Sequence, residues 1–212
     1  MVRPDILLLD EPLSNLDAKL RVRMRDDIRE IQKKSGITFI YVTHDQSEAM
    51  AIADRIVLME AGKITQVGTA RNLYEEPNSR FVANFIGAGN QIDGSLEKVD
   101  KEEKMVMLTT EWGERIYAAA RNGSPVRPEN GGKAFVFIRP ESVLVRNEKF
   151  PEERNAFSGR IVKQKYYGNL VEYEIKTEHR TFIAQSHPRD LYSEGMEVFV
   201  RIEPRDCIVI CE

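Results

Sequence analysis

The chain has 212 residues, and its 31 Lys and Arg against 34 Asp and Glu give a formal net charge of −3. Its hydrophobic fraction of 42% and charged fraction of 31% are typical of a globular protein and exclude intrinsic disorder as its main state. No run approaches the ~20 consecutive apolar residues of a membrane-spanning helix, and the near-neutral balance lacks the basic excess of a nucleic-acid-binding surface. We therefore expect no direct membrane insertion and no nucleic-acid partner.

Strand and helix patterns alternate through residues 1–72. The continuous apolar run at 5–10 is typical of a strand buried on both faces, and 38–43 is a second run of β-branched and aromatic residues. Apolar residues at spacings of three and four predict a helix from about 18 to 34, which Gly36 ends. This alternation predicts an α/β fold in which the two strands are parallel.

A short helix at 46–53 and two strands, 55–60 and 63–67, are predicted next. Residues 73–87 contain two short helical patterns separated by a proline, and we assign them to a helical linker.

From Gly87 onwards the pattern changes to short alternating strands separated by turn residues. The predicted strands are 104–109, 114–119, 133–138, 142–146, 157–166, 169–177, 180–185, 196–202 and 206–211. Such a series of short strands is typical of a barrel or sandwich. We therefore predict a second, all-β domain over 88–212.

Several side chains of this second domain carry expectations of their own. Tyr166 and Tyr167 are consecutive in a predicted strand, so one of them is expected in the core. Trp112, beside a glycine, is expected in a hairpin turn. Cys207 and Cys211 would lie about 13 Å apart along a strand, beyond the reach of a disulfide, which indicates free thiols and a reducing, cytoplasmic location.

The strongest chemical signal is an apolar strand that ends in two adjacent carboxylates, Asp10 and Glu11. Desolvated carboxylates need a partner, commonly a divalent metal, and α/β sheets bind ligands at the carboxyl ends of their strands. An acidic strand end that merely meets water would explain the pair as well.

A histidine at the end of the second strand favours the functional interpretation. His44 alone would more often be a helix cap or a surface residue, but parallel pairing brings it beside Asp10 and Glu11. The set suits phosphoryl transfer: Asp10 would hold Mg²⁺, Glu11 would orient and deprotonate a water, and His44 would hydrogen-bond the transferring phosphate.

Three stretches of sequence carry a family resemblance: LLLDEPLSNLD at 7–17, YVTHDQ at 41–46 and EAM at 48–50. Together they resemble the ATP-binding subunit of ABC importers. FVANFIG at 81–87 and IRPE at 138–141 are similar to the maltose-, polyamine- and iron-type importers that carry a C-terminal transport-associated OB-type domain.

The resemblance implies a role for each matched residue. On this resemblance Asp10 corresponds to the Walker B aspartate, which would hold Mg²⁺ through a water, and Glu11 to the catalytic glutamate. His44 matches the switch histidine of the family. Ser14, Asn15 and Asp17 match the D-loop, which in the family reaches across a dimer to the other subunit's nucleotide; a capping role for Asp17 at the 18–34 helix is compatible with this.

The resemblance also implies an architecture and partners. The fold would be an incomplete P-loop NTPase-type parallel sheet followed by an OB-like regulatory domain. A homodimer through the β-domain, membrane permease subunits and a peripheral position on the cytoplasmic face of the inner membrane are expected.

The sequence departs from the family pattern in one important respect. Neither the Gly-x-x-x-x-Gly-Lys-[Ser/Thr] loop nor the Ser-Gly-Gly-Gln motif occurs in the 212 residues. We expect the C-terminal part of such an ATPase, with ATP and Mg²⁺ belonging to the complete protein and neither binding tightly to this chain alone. Without its neighbouring strands, the α/β part is expected to pair with another chain, rearrange or be poorly ordered. Two alternatives stay open: a non-catalytic interaction module, and a ligand-sensing β-domain fused to vestigial α/β sequence.

Overall fold

The computed structural model describes residues 4–100, 104–120 and 132–211. Contacts divide the chain into two compact units, Met1–Glu75 and Glu76–Glu212. Within the described ranges, every helix is too short or too polar to cross a membrane.

The first unit is built from alternating strands and helices. Its elements are β1 (Ile6–Asp10), α1 (Ala18–Ser35), β2 (Thr38–Val42), α2 (Gln46–Ile52), β3 (Ile56–Glu60), β4 (Lys63–Gly68) and α3 (Ala70–Glu75). β1 and β2 form a two-stranded parallel sheet, and β3 and β4 form an antiparallel hairpin. The α/β prediction for this part, including the parallel pairing of its first two strands, is confirmed.

Capping residues fix both ends of α1. The carboxylate of Asp17 accepts hydrogen bonds from the backbone N–H groups of Lys19, at 3.1 Å, and Leu20, at 3.0 Å. Gly36 follows the last turn with φ at 68°, a left-handed conformation that glycine adopts without strain. These two caps explain why the helix occupies the predicted stretch of sequence.

The expectation that the first strand is buried on both faces is wrong for this chain. In β1, Ile6 is 58% and Leu8 63% exposed, and their neighbours in β2, Ile40 and Val42, are 49% and 46% exposed. Side chains alternate along a strand, so these four lie on one face of the sheet. That apolar face is uncovered in the two-stranded sheet that the structure describes.

In the described ranges the second unit contains one short α-helix, ten strands and two single-turn 3-10 helices, Pro140–Ser142 and Pro204–Asp206. The α-helix and the strands are α4 (Arg80–Phe85), β5 (Asn90–Asp100), β6 (Met105–Thr110), β7 (Arg115–Ala119), β8 (Lys133–Ile138), β9 (Val143–Arg146), β10 (Ala156–Tyr166), β11 (Val171–Thr177), β12 (Thr181–Ser186), β13 (Glu197–Ile202) and β14 (Cys207–Cys211). They form two five-stranded sheets, in the orders β14-β8-β5-β6-β7 and β12-β11-β10-β13-β9.

The inward side chains of both sheets form one hydrophobic core. Ile92, Leu108, Ile161, Tyr173 and Val200 are among its members, and all are at most 1% exposed. This arrangement confirms the prediction of an OB-like β-domain. α3 lies in the first unit and α4 in the second, and the proposed 73–87 linker stays a prediction.

The side-chain amides of two buried asparagines hydrogen-bond to the backbone of edge strands, one in each sheet. The amide of Asn90 accepts from the backbone N–H of Ile183 in β12, at 2.7 Å, and donates to the carbonyl of Ile183, at 2.8 Å. Asn155 does the same with Tyr117 in β7, at 2.8 and 2.7 Å. Each amide therefore satisfies backbone groups of a strand that lies at the edge of its sheet among the strands described.

The detailed expectations for this unit have mixed outcomes. Trp112 lies in the β6–β7 turn, as predicted, and both cysteines are free. The prediction that one of Tyr166 and Tyr167 is buried is wrong, because they are 63% and 56% exposed. β10 ends at Tyr166, so Tyr167 belongs to the turn before β11 and strand alternation does not apply to it.

Candidate functional site

The carboxyl ends of β1 and β2 meet at one edge of the parallel sheet. Asp10 is paired with Val42, and the backbone N–H of Glu11 donates to the carbonyl of Val42 at 2.9 Å, which extends the ladder by one residue. The Nδ1 atom of His44 lies 3.0 Å from Oε1 of Glu11. The structure therefore brings together Glu11 and His44, which the sequence placed at the same edge. Asp10, immediately before Glu11, is exposed.

Glu11 has a backbone conformation that residues other than glycine rarely adopt. Its φ is +42°, in the left-handed region that disfavours residues with a Cβ atom. The carbonyl of Glu11 accepts from the hydroxyl and the backbone N–H of Ser14, at 3.0 and 3.2 Å. Leu13, which is 2% exposed, anchors this turn in the unit. Strained residues of this kind are frequent at functional sites, where surrounding contacts hold them in place.

The charge of Glu11 acts on His44. The hydrogen bond to Glu11, and then the charge of its carboxylate, raise the pKa of His44 above its ordinary value of 6.5. The pair therefore stabilises the folded unit at a pH below 6.5, and this contribution is lost as the pH rises through the raised pKa. The side chains are 77% and 47% exposed, so water screens the pair, whose main effect is on orientation.

The D-loop candidates begin three residues after Glu11. Ser14 and Asn15 are exposed, and Asp17 caps α1 as described above. The carbonyl of Leu16 accepts from Nη2 of Arg21 at 2.9 Å, which ties the end of this segment to α1. The capping role of Asp17 is therefore confirmed, and its reach across a dimer stays a prediction.

Asp45 begins α2 immediately after His44. Its Oδ1 atom accepts from the backbone N–H groups of Ser47, at 2.8 Å, and Glu48, at 3.2 Å. The hydrogen bond from the Ser47 hydroxyl, followed by these backbone hydrogen bonds, lowers the pKa of Asp45. Burial alone would raise this pKa, but the hydrogen bonds have the larger effect. The capping interaction fixes the entry into α2 and with it the position of the preceding histidine.

Glu48 is a buried carboxylate that our sequence reasoning did not assign a role. It is 3% exposed and accepts hydrogen bonds from the hydroxyls of Tyr41, at 3.1 Å, and Thr43, at 2.9 Å. Burial, and then the charge of Glu48, hold the pKa of Tyr41 well above its usual range. Its position four residues before Ile52, the other buried residue of α2, is the sequence signal that places it on the inner face.

The donor chemistry at the sheet edge fits Mg²⁺ bound together with a nucleotide. Mg²⁺ prefers oxygen ligands and is commonly held by one or two carboxylates, with waters and substrate phosphates completing its shell. Asp10 offers such a carboxylate. Within the described ranges, no three His, Cys, Asp or Glu side chains form a metal-binding cluster.

Comparison with known proteins covers both units. The TOBE domain family matches residues 136–210. The "Fe(3+) ions import ATP-binding protein FbpC" of Brucella melitensis is 38% identical over 211 residues, which is 99% of this chain and 56% of that protein. This chain is homologous to the ATP-binding subunits of ABC importers. The recognition made from the sequence is thereby confirmed.

Other ABC importer homologues give the same result. "Fe(3+) ions import ATP-binding protein FbpC 1" of Rhizobium meliloti is 43% identical over 177 residues, 84% of this chain and 46% of that protein. "Spermidine/putrescine import ATP-binding protein PotA" of Hahella chejuensis is 36% identical over 204 residues, 93% of this chain and 54% of that protein. The chain spans about half the length of the curated relatives it matches.

One solved structure is similar in fold to part of this chain. The cytoplasmic molybdate-binding protein ModG has a TM-score of 0.52 with 11% identity, covering 58% of this chain and 96% of that one. At this identity the likeness shows a shared fold alone.

Proposed function

We propose that the first unit supplies the Walker B side of the ATP-hydrolysing site of an ABC-type solute importer. The observation that carries this proposal is the 3.0 Å contact between Glu11 and His44 at the carboxyl ends of two parallel strands. Homology to import ATP-binding proteins over 99% of the chain supports the same assignment.

Each residue then has a distinct chemical task. Glu11 orients the attacking water and accepts its proton, as a general base does. His44 donates a hydrogen bond to the transferring phosphate. Its raised pKa favours the doubly protonated imidazolium. In that form Nδ1 donates its proton to Glu11, and Nε2 carries a second proton that it can donate to the phosphate. Asp10 would hold Mg²⁺ through a water, and the bound ion would supply neutralising charge for the phosphates.

We also propose that this chain alone does not bind or hydrolyse ATP. Phosphate-binding loops use backbone N–H groups and a lysine within Gly-x-x-x-x-Gly-Lys-[Ser/Thr], and that motif does not occur in the 212 residues. Asp10, Glu11 and His44 would act on a nucleotide that other groups hold. In the family pattern those groups precede the Walker B strand.

Two purified proteins test these proposals: the chain alone, and a chimera in which the N-terminal part of the Brucella melitensis relative is joined ahead of it. Titration with Mg-ATP is expected to show no saturable binding to the chain alone, and binding with phosphate release by the chimera. Magnesium-dependent turnover by the chain alone that Glu11→Gln abolishes would contradict the proposed dependence on other groups. A chimera that binds Mg-ATP without hydrolysing it would contradict the assignment of the site.

For the second unit, we propose a regulatory and dimerisation role, with the whole protein peripheral on the cytoplasmic face of the inner membrane and in contact with permease subunits. Homology to importer subunits and the TOBE match at 136–210 support this. Sedimentation of the chimera is expected to show a dimer. A monomer at high micromolar concentration would count against pairing through this unit.

A further inference from the structure

Glu48 is placed unusually for a carboxylate. Among the described residues of the first unit, it is the one buried polar or charged side chain, at 3% exposure. Burying a carboxylate is costly unless hydrogen bonds and an opposite charge compensate it. The compensation is shared between its two oxygens: Oε2 accepts both hydroxyl hydrogen bonds, and Oε1 lies 3.8 Å from Nε of Arg21.

The partners of Glu48 bracket His44 along the chain. The hydroxyl of Thr43 donates to Glu48 at 2.9 Å and accepts from the backbone N–H of Asp45 at 3.0 Å. This one hydroxyl therefore links the residues immediately before and after His44. The carboxylate of Asp45 in turn accepts from the backbone N–H of Glu48 at 3.2 Å. These three bonds close a ring of interactions around the backbone on both sides of His44.

His44 itself has little else to orient it. Its side chain is 77% exposed, and its ring nitrogen contacts Glu11 across the sheet edge. An exposed side chain has few packing contacts to fix its rotamer, so the position of its backbone largely decides which groups it can reach. Here that backbone is held by the ring of hydrogen bonds that Glu48 closes from the buried side.

We propose that Glu48 is a positioning residue for His44: it fixes the loop between β2 and α2 so that the imidazole reaches Glu11. The hydrogen bonds of Glu48 reach the backbone around His44 through Thr43 and Asp45. The importance of this placement for catalysis rests on the proposed function. The placement itself is a property of the chain without nucleotide.

The full chain with ¹³C-labelled histidine tests the proposal. It contains three histidines, so His44→Gln identifies the His44 ring signal in a ¹H–¹³C spectrum. Glu11→Gln, measured at the same pH, gives the signal of His44 without its carboxylate partner. We expect Glu48→Ala to move the His44 signal most of the way towards that reference. Glu48→Gln should stay near wild type, because its amide oxygen still accepts from both hydroxyls.

Asp54→Asn is the matched control. It removes a carboxylate that pairs with Arg29, while leaving the His44 loop untouched, and should not move the signal. If circular dichroism shows that Glu48→Ala is unfolded, Thr43→Val replaces it, because it deletes only the bridging hydroxyl. A folded variant with an unmoved His44 signal, or an equal movement in Asp54→Asn, would overturn the proposal. Since no nucleotide is used, a negative ATPase result for the chimera would leave this outcome unaffected.

Discussion

Replacing Glu11 by Gln in the chimera is expected to lower ATP turnover by about 10²–10⁴-fold while Mg-ATP binding is retained. The amide has the shape of the carboxylate but does not accept the proton of the attacking water, and general-base catalysis contributes a factor of this size. Single-turnover phosphate release measures the effect on the chemical step directly. Because the substitution also removes the partner of His44, the pKa of that histidine should fall towards its ordinary value.

Glu60→Gln provides the control for this experiment. Glu60 is the exposed last residue of β3, so this substitution makes the same chemical change at another strand end of the same unit. Its turnover should match wild type. If Glu11→Gln keeps more than about a tenth of the wild-type rate, a loss of under about 1.4 kcal/mol in the barrier, Glu11 is not the general base.

Asn155→Ala is expected to destabilise the β unit by about 3 kcal/mol. Asn155 is 4% exposed, and its amide satisfies both backbone groups of Tyr117 and also donates to the carbonyl of Ile202 at 3.2 Å. Leaving a buried polar group unpaired costs about 1–3 kcal/mol. The backbone of Asn155 is also left-handed, with φ at 53°, where alanine costs more than asparagine.

Urea unfolding followed by the fluorescence of Trp112 measures this loss. It is the single tryptophan of the chain and lies in the turn that leads into β7, the strand that Asn155 pairs with. Asn147→Ala, at an exposed position, is the control and should change the free energy of unfolding by less than about 0.5 kcal/mol. Equal unfolding midpoints for the two variants would show that the hydrogen bonds of the Asn155 side chain do not stabilise the edge strand β7.

Local sequence rules predicted the elements whose causes are local. The caps of α1, Asp17 and Gly36, act within a few residues, and the structure places the helix between them. Turn residues and alternation likewise located nine of the ten strands that the structure describes in the β unit. β5 was missed because Asn90–Asp100 combines polar and charged residues with Gly94, and it is a strand because it pairs with both β6 and β8.

The errors at the first unit have non-local causes. An apolar run shows that a strand is suited to burial, but whether Ile6 and Leu8 are buried depends on what else packs against the sheet. Asp10, Glu11 and His44 were predictable as a set because parallel pairing aligns strand ends. Glu48 was not recognised as a positioning residue, because the hydroxyls of Tyr41 and Thr43 can hydrogen-bond to it only when α2 folds back beside β2.

A structure of the Glu11→Gln chimera with Mg-ATP bound tests the central claim most directly. If the carboxyl ends of β1 and β2 form the Walker B side of an ATP site, the terminal phosphate will lie within hydrogen-bonding distance of Nε2 of His44, about 2.7–3.2 Å, with Asp10 facing the Mg²⁺ shell. A nucleotide whose phosphates bind away from this sheet edge would contradict the claim.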